Sequence, residues 1–350
     1  MSDSIIFTYA CGILGLASHG SRKHDFWLFV VRGVGVLISF LSLLSVILIS
    51  FNDSNEYGSN SGFIQAIMFT CGILTAFVQF KFWRKLYSKF FTYLNQLVNF
   101  RLIKFSAKKF SLNPVQPHEF IFQPDSIPHL TAFYLLVTAF GFLLSHTELS
   151  GMDLPLLPIP VPVQVSELFQ YNGLSLIIIS LMGVGIFVTR SFKLCLNRLG
   201  LVPITRNQIF IGIGLIFFAF GYDLVWSLYT HNIPGQDLAL KLTNYNAGTF
   251  SAAGGLVNSV VLALATAIFA GVGEEVLIRG ALQPVFGALP AGFFHGILHA
   301  QFANAPIYIL QVAIWSTIMG IVKERTNTTT TIIGHAGFNF LSTFLFSFNP

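Results

Sequence analysis

The sequence predicts an all-α fold, a polytopic transmembrane bundle of about eight to nine helices. Only 9% of the 350 residues are charged and 54% are hydrophobic, whereas an average soluble domain has about 25% charged residues. Several apolar runs approach the ~20 residues that a helix needs to cross the hydrocarbon core of a bilayer. We therefore expect an integral, multi-pass membrane protein with the lipid bilayer as a partner. No nucleic-acid-binding signature is present, so we expect no nucleic-acid partner.

The apolar runs are the candidate helices. They cover residues 25–51, 61–82, 128–147, 172–190, 207–230, 254–285, 290–304, 306–322 and 329–348. The run 290–304 is short for a complete span. The first 17 residues are apolar but also short, so an interfacial or re-entrant piece is as consistent with them as a span. Four prolines between positions 155 and 162 predict an extended loop at 150–166 rather than a helix.

The distribution of basic residues predicts the orientation in the membrane. Segment 81–127 holds eight basic residues and segment 190–206 holds four, whereas the loops between these basic segments are mainly acidic. Because lysine and arginine concentrate on the cytoplasmic side, we expect a cytoplasmic N-terminus and a C-terminus on the opposite side. In segment 81–127, Trp83, Tyr87 and Phe90 recur at helical spacing among lysines and arginines. This pattern is typical of an amphipathic helix on the inner leaflet.

These features suggest two regions of the chain. Residues 1–127 form an N-terminal membrane region with the basic amphipathic segment, and residues 128–350 form a transmembrane domain. The second region carries its polar motifs within 255–348, on helices that are otherwise apolar. Ionisable groups at membrane depth are costly and commonly mark a functional site.

The first polar motif is Glu274-Glu275-Val276-Leu277-Ile278-Arg279. Glu275 and Arg279 are four residues apart, so they share a helix face and can form an ion pair. Glu274 points about 100° away from Glu275 around the helix. One carboxylate is thus expected to be paired, while Glu274 is left to act as a general base on water.

Two further polar motifs follow, His295 with His299 and His335 with Asn339. Counted along their helices at 1.5 Å per residue, the three motifs reach similar depths in the inner half of the membrane, with Glu274 about 16 Å from the inner end. His299 could share a catalytic water with Glu274 or protonate a leaving amine. His335 and Asn339 could hold the oxyanion that forms when water attacks a peptide carbonyl.

Each motif also has a purely structural interpretation. A Glu–Arg pair four residues apart is a common structural ion pair, and an intramembrane histidine is often an interhelical hydrogen-bonding group. Separate structural roles would not require the three motifs to agree in depth. Their agreement therefore favours one shared site.

The three motifs resemble those of the CAAX-processing and bacteriocin-processing family (Abi, or type II CAAX prenyl endopeptidases) of intramembrane glutamyl proteases. The family pattern EExxxR corresponds to residues 274–279, its FxxxH pattern to 295–299, and its paired His and Asn to 335–339. The similarity extends over roughly residues 255–348.

The resemblance implies an α-helical membrane protease in which Glu274 and His299 activate water. It further implies that His335 and Asn339 stabilise the oxyanion and that Glu275 and Arg279 support the site. The substrate implied is a membrane-associated protein or peptide, of the prenylated CAAX type if the chain acts like a true CAAX processor. A catalytically silent scaffold or bacteriocin-immunity protein of the same fold is the alternative.

One position departs from the family pattern, since His295 stands where the family usually has phenylalanine. The imidazole either packs in place of the phenyl ring or joins the site. Together with His299 and Glu274 it approaches a set of two histidines and one carboxylate, which can hold a divalent metal such as zinc. The resemblance favours a mechanism without metal or other cofactor, and the sequence leaves the metal-dependent form open.

Overall fold

The computed structural model describes residues 2–51, 61–106, 122–149, 157, 159–231, 237–252, 255–299, 302 and 305–348. These residues form a helical bundle without a β-strand, and the isolated bridge between Ile186 and Arg190 lies in a turn. The all-α fold class is confirmed. Lys108, Lys109, Pro155 and Pro158 lie outside the described residues, whereas 159–164 is non-helical, as predicted for the proline-rich loop.

The helices, numbered in chain order, have the following bounds. They are α1 Ser2–Gly20, α2 Asp25–Phe51, α3 Ser61–Phe77, α4 Lys81–Ser106, α5 Ile127–Leu149, α6 Val165–Gly183, α7 Phe192–Arg198, α8 Arg206–His231, α9 Leu238–Thr249, α10 Leu256–Phe286, α11 Ala288–Leu298, α12 Pro306–Arg325 and α13 Thr328–Phe348. Helices α2, α6, α8, α10, α12 and α13 are long and apolar enough to cross a membrane. The protein is therefore an integral, multi-pass membrane protein.

Several elements differ from the sequence-based expectation. The run 61–82 is broken, because α3 and α4 meet at an angle of 110°. Such a bend lets α4 leave the direction of a spanning helix, as an amphipathic surface helix requires. Helix α6 begins at Val165 and ends at Gly183, earlier than the run 172–190, and helix α9 was not predicted. The division of the chain at residue 127 stays a prediction.

Helix α1 runs beside α6 in the same direction. A Cβ added at Gly12 would lie 3.7 Å from the Cα of Ile179, and one at Gly15 would lie 3.2 Å from the Cα of Gly183. One turn later the Nε2 of His19 donates to the Gly183 carbonyl at 3.0 Å. The two helices therefore end at the same level, beside the basic segment 190–206.

Small residues allow the helices of the polar motifs to approach closely. A Cβ added at Gly271 of α10 would lie 2.8 Å from the Cα of Ala336 in α13. On α11, Gly292 and Gly296 face α12, and a Cβ at Gly296 would lie 2.6 Å from the carbonyl oxygen of Ile309. Pairs of small residues four apart are a common means of tight helix packing in membranes. This packing brings α10, α11, α12 and α13 together around one centre.

Helix α10 is irregular where it carries the first motif. It widens into π-helical turns at Thr266–Gly271 and Val276–Leu282, on either side of the two glutamates. π-Helical turns occur frequently at functional sites because they change the direction of side chains along a helix. Helix α6 has a similar segment at Leu168–Ser175, which packs against this part of α10.

Candidate active site

Glu274 lies at the centre of the polar cluster. Its Oε2 is 2.9 Å from His295 Nε2 and 3.9 Å from His335 Nε2, and its Oε1 accepts a hydrogen bond from Asn172 Nδ2 at 3.2 Å. The side chain keeps 13% of its exposure, whereas that of the neighbouring Glu275 is fully buried. Glu274 is therefore the carboxylate of the pair that remains within reach of a small molecule.

Glu275 forms the ion pair expected from the sequence. Arg279 Nε lies 3.3 Å from Glu275 Oε2, and both side chains are fully buried. The other oxygen, Oε1, is 3.1 Å from His335 Nδ1. Because a carboxylate only accepts hydrogen bonds, Nδ1 of His335 carries the proton of this bond. Glu275 thus fixes the ring orientation of His335 while Arg279 compensates its charge.

Ser316 of α12 connects Arg279 to His295. Arg279 Nη2 donates to Ser316 Oγ at 2.7 Å, and Ser316 Oγ lies 2.9 Å from His295 Nδ1. Since the guanidinium can only donate, the serine hydroxyl is left to donate its own proton to His295. Nδ1 of His295 is then the acceptor, so Nε2–H is the group that donates to Glu274. This chain of hydrogen bonds selects one neutral tautomer of His295.

His299 has the opposite tautomer. Helix α11 ends at Leu298, and His299 Nδ1 lies 3.0 Å from the carbonyl oxygen of His295. A carbonyl only accepts, so Nδ1 carries the proton and Nε2 presents a lone pair. The rings of His299 and Phe302 stack at a centroid distance of 6.1 Å. Glu274 and His299 thus both offer acceptor atoms to the same small volume.

Six side chains from four helices close into a ring of polar contacts. In order around the ring they are Glu274, His295, Ser316, Arg279, Glu275 and His335. Trp315 covers one side, with its ring 4.8 Å from that of His335 in an edge-to-face arrangement. The indole and the surrounding helices shield the ring from lipid.

Asn339 lies one helical turn beyond His335 on α13. Its side chain is partly exposed, and among the described residues no hydrogen bond joins that amide to the cluster. Asn339 could therefore meet a bound substrate, but the structure does not bring it into the ring.

A metal ion is the alternative occupant of the site. Glu274, His295 and His299 each offer one ligand atom, and these atoms lie within 4.8 Å of one another. To bind a metal through Nε2, His295 would have to carry its proton on Nδ1. Ser316 Oγ would then accept from both Arg279 and His295, and its own hydroxyl proton would have no acceptor within the described part of the chain. The donor types fit zinc, whereas the hydrogen bonds around Ser316 favour the metal-free arrangement.

Sequence reasoning missed three residues of this site. Asn172, Ser316 and Trp315 lie on α6 and α12, far in sequence from the residues that they contact. Asn172 gave one weak signal, as part of the polar stretch Tyr171-Asn172-Gly173 at the edge of an apolar run. Gly273 is the corresponding signal on α10, since a Cβ there would overlap the Asn172 carbonyl.

Comparison with known proteins gives one match. Residues 256–341 match the model of the family described as Rce1-like, type II CAAX prenyl endopeptidase Rce1-like. No curated protein and no solved structure matches the chain. The matched segment contains α10, α11, α12 and most of α13, and thus all seven residues that the sequence predicted for the site.

Proposed function

We propose, from the premise that residues 256–341 belong to the Rce1-like family of type II CAAX prenyl endopeptidases, that this protein is an intramembrane endopeptidase with Glu274 as its general base. The observation that carries the proposal is the environment of Glu274. His295 and Asn172 each hold one of its oxygens by hydrogen bonds, while Nε2 of His299 presents a second acceptor nearby. A water molecule between two such acceptors is oriented with its own lone pairs free for attack.

The reaction follows from these groups. Glu274 takes a proton from the water as its oxygen attacks the carbonyl carbon of the scissile peptide bond, and the carbonyl oxygen becomes an oxyanion. His335 and Asn339 lie on one face of α13. The side-chain amide of Asn339 can donate a hydrogen bond to that oxyanion, whereas His335, whose Nδ1–H is held by Glu275, can donate from Nε2 only in its protonated form. The tetrahedral intermediate then expels the amine, which receives the proton held by Glu274, directly or through His299.

Glu275 and Arg279 have a positioning role in this proposal. Both are fully buried, so neither touches the substrate. Arg279 acts through Ser316 on His295, and Glu275 acts on His335. The two imidazoles that flank Glu274 are thus oriented by the same ion pair.

A metal-dependent form of the same protease is the second candidate, because three ligand-type atoms lie within 4.8 Å. In that form Glu274, His295 and His299 would hold a divalent ion, which would lower the pKa of a bound water. The hydrogen bonds around Ser316 argue for the metal-free form, and chelator sensitivity distinguishes the two.

We place the basic segments on the cytoplasmic side, which puts the C-terminal end of α13 on the outer side. The cytoplasmic N-terminus expected from the sequence stays a prediction, and it requires that α1 does not cross the bilayer. Helix α1 has 19 residues, about 28 Å at 1.5 Å per residue. If α1 crossed the bilayer, its end beside the basic segment 190–206 would put Ser2 on the outer side, so the position of the N-terminus depends on whether α1 spans.

The substrate proposed is a membrane-associated protein or peptide, including a prenylated CAAX-type peptide, cleaved at the depth of Glu274. The test is cleavage of membrane-anchored and prenylated peptides by the purified protein in lipid nanodiscs, read by mass spectrometry. Glu274→Gln keeps the shape of the side chain and removes the base, so cleavage should be lost.

Asp223→Asn provides the matched control. Asp223 is another carboxylate within a membrane-spanning helix, and its Oδ1 accepts from Gln311 at 2.7 Å outside the ring. This variant should retain cleavage. Biological activity that survives Glu274→Gln would instead indicate a silent scaffold or an immunity protein.

A further inference from the structure

A long cavity lies beside the candidate active site, between α1, α5 and α6. Its volume is about 1110 Å³. Helix α1 contributes one continuous face to its wall, with lining residues at Thr8, Cys11, Gly15 and His19, and Arg22 lines it from the turn after the helix. The 11 positions from Thr8 to His19 correspond to about 16 Å at 1.5 Å per residue. The cavity is therefore an elongated channel along the helices.

The two ends of the cavity differ in chemistry. At one end it is lined by apolar side chains of α5, α6 and α11, including Leu136, Ile179 and Leu298. At the other end four basic side chains line it, namely Arg22, Arg190, Arg198 and Lys323. Glu324 is the single carboxylate among the lining residues that the structure describes. The cavity thus has an apolar interior and a cationic mouth.

The depth of the cavity matches one leaflet of a bilayer. Its mouth lies at the ends of α1, α6 and α12, where the basic segments begin. Its apolar end reaches Ala139 on α5, 12 positions beyond the start of that helix at Ile127, a rise of about 18 Å. One leaflet contributes about 15 Å of hydrocarbon. An amphiphile whose head lies at the inner surface would place its chain in this space.

The surroundings of His19 show an excess of positive charge at the mouth of the cavity. Burial, and to a smaller extent repulsion from Arg190, Arg22 and Arg198, lower the pKa of His19 to about 4, while the hydrogen bond to the Gly183 carbonyl opposes this shift. The three guanidinium groups thus act on the same buried imidazole, and Arg22 also repels Arg190, whose pKa is lowered by burial and by this repulsion. A bound anion would relieve this repulsion, and phosphate suits arginine because it accepts paired N–H bonds.

We propose that this cavity binds an anionic phospholipid of the inner leaflet, with its phosphate among the arginines at the mouth and an acyl chain along α1. The cavity is not lined by Glu274, His299 or His335. Its occupant is therefore held apart from the reacting groups, as a bound lipid and not as the peptide that is cleaved.

The test is native mass spectrometry of the purified full chain with equal amounts of phosphatidylglycerol and phosphatidylcholine that have identical acyl chains. Phosphatidylglycerol should be retained preferentially. Arg22→Gln should weaken its binding about fivefold, the factor expected for one cation near an anionic headgroup. The matched control is Arg206→Gln, since Arg206 is also exposed, belongs to the basic segment 190–206 and does not line the cavity. This control should bind as the wild type does.

A second variant tests the position of the chain. Ala139→Phe fills the apolar end, so it should reduce retention of long-chain phosphatidylglycerol more than that of a short-chain form. Three outcomes would overturn the proposal: equal retention of the two lipids, equal effects of the two arginine variants, or displacement of phosphatidylglycerol by a prenylated peptide that is then cleaved. The last result would assign the cavity to the substrate.

Discussion

Replacing His295 by phenylalanine separates the two chemical forms of the site. The substitution restores the residue usual in the resembling family and keeps a ring of similar size in a position that is only 1% exposed. It removes the 2.9 Å hydrogen bond to Glu274 and the 2.9 Å contact with Ser316. In the metal-free form His295 only orients Glu274, so the base itself survives.

The expected loss of activity can be worked from that hydrogen bond. A hydrogen bond to a charged group contributes about 1.5–3 kcal/mol, so kcat/KM should fall about 10- to 150-fold at ~1.4 kcal/mol per factor of ten. Part of the loss should appear as lower stability, because the buried Ser316 hydroxyl loses its acceptor. If His295 is instead a metal ligand, the variant should lose both the ion and essentially all activity.

The assay is cleavage of a membrane-anchored peptide in nanodiscs, with metal content measured on the same samples. His231→Phe is the control, because His231 lies at the end of α8 and pairs with Asp237 away from the ring. The reasoning from the Ser316 hydrogen bonds would be refuted by two results together. A chelator would abolish cleavage by the wild type, and His295→Phe would have no activity. We expect His295→Phe to keep part of its cleavage activity and a chelator to leave that activity unchanged.

Two further variants test the supports of the ring. Gly273→Ala should abolish cleavage and lower the melting temperature, because the new Cβ overlaps the Asn172 carbonyl and displaces α6 from Glu274. The control is Gly221→Ala on α8, where a Cβ meets nothing within 4 Å. Single-turnover cleavage and thermal unfolding should both be unchanged in this control. Ser316→Ala removes the hydroxyl that selects the tautomer of His295, so kcat should fall about 10- to 100-fold with little change in KM. An unchanged kcat would show that the serine does not orient the imidazole.

The sequence predicted those parts of the site that depend on local helical geometry. Glu275 and Arg279 are four residues apart, so their ion pair follows from one helix alone. The contacts of Ser316 and Asn172 could not be predicted in this way, because they depend on how α12 and α6 approach α10. The approach itself is set by glycines such as Gly273, whose importance appears only when the neighbouring backbone is known.

Helix boundaries were less predictable than the existence of the helices. The apolar run 290–304 indicated a helix that would include His299, but α11 ends at Leu298. Apolar composition extends past that point, whereas the imidazole of His299 turns back to the carbonyl oxygen of His295. A local side-chain contact therefore ends the helix where hydropathy alone would continue it.

The ring of six polar residues also has a consequence for charge. With its imidazoles neutral, the ring contains two carboxylates and one guanidinium, a net charge of −1. Accepting one proton makes the ring neutral, and a neutral group is far less costly than an ion in a low-dielectric interior. Deprotonation of a water by Glu274 therefore moves the negative charge from the protein to the attacking oxygen and then to the oxyanion. The protein is at its least charged at the moment when the substrate is most charged.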